Sequence, residues 1–147
     1  MRVLLSDVLE PKLAKVGVKE ARFYEEMRRR PVGGRTHVVY GILLLEQATL
    51  YLLRDLDTRA LFMIANSEFF DVIDNRVSKY WRFWRDITHP QLVYFDYTLR
   101  APFSFIGIDR YISDPDFAAS YEAEESASME YIRQVMVNLE REALSED

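Results

Sequence analysis

Cysteine is absent from this chain of 147 residues. That excludes disulfides, thiolate catalysis and cysteine-held zinc or iron–sulfur centres. Histidine is scarce, with only His37 and His89. A metal site would need both brought together with carboxylates, and their spacing does not suggest it. No apolar run approaches the roughly 20 residues needed to cross a bilayer, and the run Ile42–Leu45 stops at Glu46. The segment Met1–Lys12 carries Arg2 but lacks the apolar stretch and small-residue cleavage site of a secretory signal. Gly33–Gly34 follows a helical pattern instead of joining a strand to a helix, so it does not form the usual phosphate cradle. No nucleophile-elbow motif is present either. These absences point to a cytoplasmic protein that works without a cofactor and without catalysis.

The composition is that of an ordinary globular chain, 49% apolar and 29% charged. Its length suits one domain with a real core. The formal net charge is −5, which does not favour nucleic acid, because such binders are usually basic overall. One basic cluster, Arg28–Arg30 followed by Arg35, reads as a helix C-terminus where cations complement the dipole. Lys79, Arg82 and Arg85 form a second basic set among aromatics. The acidic C-terminal third, from Asp114 to Asp147, fits a solvated helix face or a surface for a basic partner.

Residues 18 to 30 read as a helix with Ala21, Tyr24 and Met27 on one face, closed by Pro31. From Thr36 the pattern changes to three strand-length runs, with Leu56–Thr58 as a turn between the second and third and Gly41 marking a bulge or close approach. Gln91–Leu99 and Ala101–Ile108 read as two further strands. The last element runs from about Pro115 to Ala143, capped by Ser113 or Asp114, with a break near Glu125–Ser126. The expected class is therefore α+β: an antiparallel sheet of about five strands packed against an N-terminal and a long C-terminal helix.

The most informative stretch is Phe69–Trp84, where large apolar and aromatic side chains alternate with Asp71, Asp74, Arg76, Lys79 and Arg82. Phe69, Ile73, Val77, Tyr80 and Trp84 fall at helical spacing. Alternatively, a short helix ends at Asp74 and a strand from Arg76 to Arg85 places Val77, Lys79, Trp81 and Phe83 on one face. The turn-prone pair Asp74–Asn75 favours the split version. Asp71 and Asp74 on one side of a helix could hold a divalent ion or act as acid and base; they could equally solubilise an apolar helix. Asp96 sits between Phe95 and Tyr97, on the wet face of a strand or paired with Arg100. Tyr80, Trp81, Phe83 and Trp84, with Arg82 and Arg85 between them, match the residues of interface hot spots, of base-stacking platforms, and of an ordinary core. So many rings should leave some partly exposed, and exposed rings usually mean binding. The candidate contact residues are Asp71, Asp74, Tyr80, Trp81, Arg82 and Trp84.

The succession Val39–Ile42, Leu50–Leu53 and Ser67–Trp81, above all the string FDVID-x-RVS-x-YW, resembles small bacterial immunity proteins associated with polymorphic toxins. The resemblance covers about a third of the chain. It implies a non-catalytic α+β protein that neutralises a cognate toxin by covering its active surface. Three other readings stand beside it. One is a small enzyme using Asp71, Asp74 or Asp96 with His37 or His89; another is a nucleic-acid binder using the Arg-aromatic surface; the third is a subunit that homodimerises through exposed rings.

Overall fold

The computed structural model describes residues 1–54, 62–87, 92–95, 97–99, 103–108, 110 and 114–145. The chain opens with β1 (Arg2–Leu5), a short 3-10 turn (Lys12–Lys15), α1 (Val18–Arg28) and a single helical turn, α2 (Val32–Arg35). Then come β2 (Thr36–Leu44), β3 (Thr49–Arg54), β4 (Phe62–Asn66), β5 (Phe70–Asp74) and β6 (Trp81–Ile87). A two-stranded hairpin, β7 (Leu92–Tyr94) and β8 (Tyr97–Leu99), precedes β9 (Phe103–Ile108), and α3 (Pro115–Glu122) and α4 (Ser126–Leu144) end the fold. The class is α+β, as the sequence indicates, but the antiparallel sheet has seven strands.

The long strand β2 serves two lobes. Thr36–Val38 pair with β1, which pairs with β5. Val39–Leu44 pair with β3, and Gly41–Leu44 also pair with β9, which carries β6. The register slips between Val39 and Gly41, so Tyr40 is the extra residue of a bulge. Bulges bend a strand and raise its twist, and the two lobes fold toward each other here, since Phe70 of β5 meets Tyr51 of β3 at 6.1 Å. Gly41 faces Gly107 across the ladder. A Cβ on Gly107 would lie 2.5 Å from the Gly41 Cα and from the Phe105 ring, so this close approach needs glycine.

Four consecutive residues of β3, Leu50–Leu53, are buried, so both faces are covered there. On the inner face, Tyr24 of α1 stacks on Phe69 at 4.0 Å and meets Phe70. On the outer face, Phe62 touches Tyr40 and Tyr121, and the Tyr40 hydroxyl donates to Glu140 of α4 at 2.6 Å. Asp114 caps α3 by accepting from the Asp116 and Phe117 N–H groups, with Pro115 at the first position. The C-terminal helix is broken where the sequence allows it: Glu124 has φ 56° and α4 starts at Ser126.

Three expectations are corrected. Phe70–Asp74 is a strand, not the end of a helix; four of its five residues pair along β1, with Ile73 left out at a bulge, and Phe70 is buried against α1 and β3. The following strand starts at Trp81, because Asn75–Tyr80 turn away to meet the end of α4. Gln91–Leu99 is not one strand: the chain reverses after Tyr94, with Phe95 at φ 52°, and Tyr94 pairs with Tyr97. The Leu56–Thr58 turn lies outside the described residues.

Candidate functional site

The string read as most informative divides into a structural tie and an open strand. Arg76 forks onto Asp74, with Nε 3.0 Å from Oδ1 and Nη2 2.8 Å from Oδ2. The same guanidinium donates to the Ala143 and Ser145 carbonyls at 3.3 and 3.1 Å, where the last turn of α4 leaves acceptors without helical donors. Ser78 donates to Glu142, and the Lys79 N–H donates to the same carboxylate at 3.2 Å. Arg76 holds the Asp74 carboxyl well below the usual range. Desolvation pushes Glu142 up, but the bonds from Ser78 and Lys79 outweigh it and its pKa falls. Asp74, Arg76 and Ser78 therefore dock the β5–β6 connection onto α4.

Asp71 and Asp74 do share a face, although on a strand. They stand opposite Leu4 and Arg2, two residues apart on β1, because a bulge lies between. Asp74 is committed to Arg76 and Arg2, while Asp71 is exposed. Among the described residues no group of three or more histidine or acidic side chains is placed to hold a metal ion.

The aromatic run splits by side-chain position. Trp81 is core, 7% exposed and opposite the buried Ile108. Trp84 is half-buried opposite Phe105, and Tyr80 is half-buried with the Lys79 Nζ 5.2 Å from its ring centre. Arg82 is exposed and donates to the Lys79 and Trp81 carbonyls at 3.1 and 2.9 Å. Phe83 is 52% exposed, with the Arg85 guanidinium 5.6 Å from its centroid. Of the rings described, only Phe83 is exposed; the fold hides far more of them than their number suggests.

Phe83 ends a row that crosses five strands. It pairs with Ile106, Ile106 with Ile42, Ile42 with Tyr51, and Tyr51 with Ala65. Paired residues in an antiparallel sheet share a face. Exposure falls along the row from Phe83 through the half-buried Ile106 and Ile42 to Tyr51 and Ala65, which are 7% and 0% exposed. Phe70 caps Tyr51, and on β6 the cover reaches Trp81 but not Phe83. Leu44, two residues beyond Ile42 on the same face, is also exposed. The aromatic content made Phe83 visible in the sequence, but strand alternation alone grouped it with Trp81.

His37 is buried, with its Nε2 unbonded and its ring edge-on to Phe70. Burial, assisted by the charge of Arg30, pushes its pKa down to about 4. It lies across β1 from Val72. His89 and Asp96 fall outside the described residues. The basic cluster is dispersed: Arg28 pairs with Glu10 at 3.0 Å, Arg35 pairs with Asp7, and Arg29 caps α1.

Sequence reasoning missed a buried polar chain. The Asn66 N–H donates to the Tyr24 hydroxyl at 2.7 Å, the Tyr24 and Tyr94 hydroxyls are 2.6 Å apart, and Tyr94 donates to Glu20 at 2.5 Å. Glu20 is 3% exposed, and burial raises its pKa. Burial also raises both phenols. The signal was a glutamate four residues before Tyr24, on the same stripe as Met27.

No family model matches this chain, and no curated protein or solved structure matches it. Among the described residues no helix is long and apolar enough to cross a membrane.

Proposed function

We propose that this chain is a non-catalytic protein-binding module whose contact surface is the uncovered end of the inner row: Phe83, Ile106, Ile42 and Leu44. The observation that carries this reading is the rise in exposure along one cross-strand row, from a sealed core at Ala65 to an aromatic ring in water at Phe83. Apolar surface left uncovered beside arginine is the usual material of an interface hot spot. Arg85 against the Phe83 ring supplies that neighbour. Arg82 and Trp84 alternate onto the opposite face of β6, while Trp81 and Asp74 support from within.

The class of partner comes from the resemblance of Ser67–Trp81 to toxin-associated immunity proteins. On that reading the partner is a toxin domain, and binding hides its active surface. The test is co-expression with the product of the adjacent gene, followed by growth and by calorimetric titration of the purified pair. Wild type is expected to restore growth and to bind. Leu44→Arg, on an already exposed side chain, is expected to lose both while keeping its melting midpoint. A neighbour that is harmless alone, or undiminished protection by Leu44→Arg, contradicts the proposal.

A further inference from the structure

Among the described residues the β7–β8 hairpin stands apart from the seven-stranded sheet, its two strands pairing only with each other. Two rings fasten it to the body. Phe95 meets Phe23 of α1 edge-on at 5.5 Å. Tyr94 enters the buried hydroxyl chain, reaching Glu20 and Tyr24 of α1 and, through Tyr24, the Asn66 N–H at the end of β4. With Glu20 as the terminal acceptor the hydrogens run in one order: Asn66 N–H to Tyr24, Tyr24 O–H to Tyr94, Tyr94 O–H to Glu20. Each phenol donates one proton, and the chain ends on the carboxyl.

Among the described residues Glu20 meets no cation. It is almost fully buried, and the phenol of Tyr94 is its hydrogen-bond partner. Among the described residues, the titratable groups facing it are Tyr94 from the hairpin and, behind that, Tyr24 from its own helix. Among the described residues no ion pair to Glu20 forms. A buried carboxylate held by one phenol is costly, whereas the neutral acid accepts the same bond without carrying a charge. The same hairpin bounds an apolar cavity of about 350 Å³ lined by Phe23, Leu52, Phe62, Met63, Tyr94 and Phe95. One wall of that cavity belongs to α1, another to β3 and β4, and the third to the hairpin.

We propose that the Glu20–Tyr94–Tyr24 chain is a proton-dependent latch, which keeps the hairpin closed against the apolar cavity while Glu20 is protonated and loosens it once Glu20 ionises. The latch lies away from Phe83 and does not depend on the partner-binding reading. Its sign follows from linkage: closure favours the protonated acid, so the opening constant rises with pH. The rise is at most about tenfold per pH unit and levels off when Glu20 is ionised in both states.

Amide hydrogen exchange of the β7 segment, corrected for the intrinsic pH dependence of exchange, tests this between pH 4 and pH 8. In wild type, protection of β7 is expected to fall at least tenfold relative to that of β3 as pH rises. Glu20→Gln keeps an acceptor for Tyr94 without a charge and is expected to show a flat ratio. Tyr94→Phe leaves Glu20 buried without its donor and is expected to lower β7 protection at every pH while keeping the fall with rising pH. An apolar dye should fluoresce more in wild type at pH 8 than at pH 4, and equally at both in Glu20→Gln. Matching pH profiles in wild type and Glu20→Gln overturn the latch. So does a wild-type ratio that does not change.

Discussion

Strands β3 and β6 are both rich in large apolar residues, yet they meet opposite fates. In β3, Leu50, Leu52 and Leu53 are within 2% of complete burial, with α1 and β5 on one side and α3 and α4 on the other. In β6, Trp81 is buried, Phe83 on the same face is half in water, and Arg82, Arg85 and Asp86 are exposed. The difference is not composition. It lies in how far the covering layers extend, and β6 hangs from β9 at the limit of that cover. A ring beneath the cover stabilises the fold, while a ring beyond it is available to another molecule.

The sharpest way to break this comparison is to truncate the two rings in turn. Trp81→Ala is expected to cost about 3–5 kcal/mol by cavity formation, measured as a lowered urea midpoint. Phe83→Ala is expected to change stability by less than about 1 kcal/mol, since its ring is already half exposed. Equal losses from both would erase the distinction.

The buried lobe can also be probed by pH. His37 is neutral in the fold, with its pKa pushed down to about 4 by burial. Between its ordinary value of about 6.5 and pH 4, the unfolded chain takes up a proton that the fold refuses, so stability falls as pH falls. The loss is on the order of 3 kcal/mol at most. Glu20 acts in the opposite sense: its raised pKa gives a contribution present below about 4.5 and lost as pH rises through the folded value. Urea melts across this range should show His37→Phe losing the acid-side slope and Glu20→Gln losing the alkaline-side one. An unchanged acid slope in His37→Phe would remove the assignment.

A smaller effect is expected at the tie between the two regions. Arg76→Ala removes the bonds to Asp74, Ala143 and Ser145 and should cost about 1–3 kcal/mol. Exchange should quicken at the end of α4 before it does in β3. If α4 is unaffected, the tie is not what docks it.

Much of the architecture was legible in the residues. The cap at Asp114 with Pro115, the three strands after Thr36 and the close approach at Gly41 follow from local chemistry, and each is present. The Phe69–Trp84 stretch was misread because its apolar spacing fits a helix as well as a strand. Pairing with β1, a contact distant in sequence, decides the matter. The candidate site was half legible. Side-chain type marked the aromatic run, but which ring is core depends on where Phe70 and α1 stop covering the sheet, and no local pattern encodes that. Asp74 and Arg76 looked like surface charges because the carbonyls that Arg76 serves lie about seventy residues away, at the end of α4. The Glu20–Tyr94 pair, equally distant in sequence, was hidden for the same reason.

The central claim is that Phe83 serves a partner and not the fold. Calorimetric titration of the cognate partner with Phe83→Asp, alongside a urea melt of the same sample, tests it most directly. The expected result is a loss of affinity of at least about 100-fold, or about 2.7 kcal/mol, with the melting midpoint unchanged. Wild-type affinity in a variant that melts normally would contradict the account.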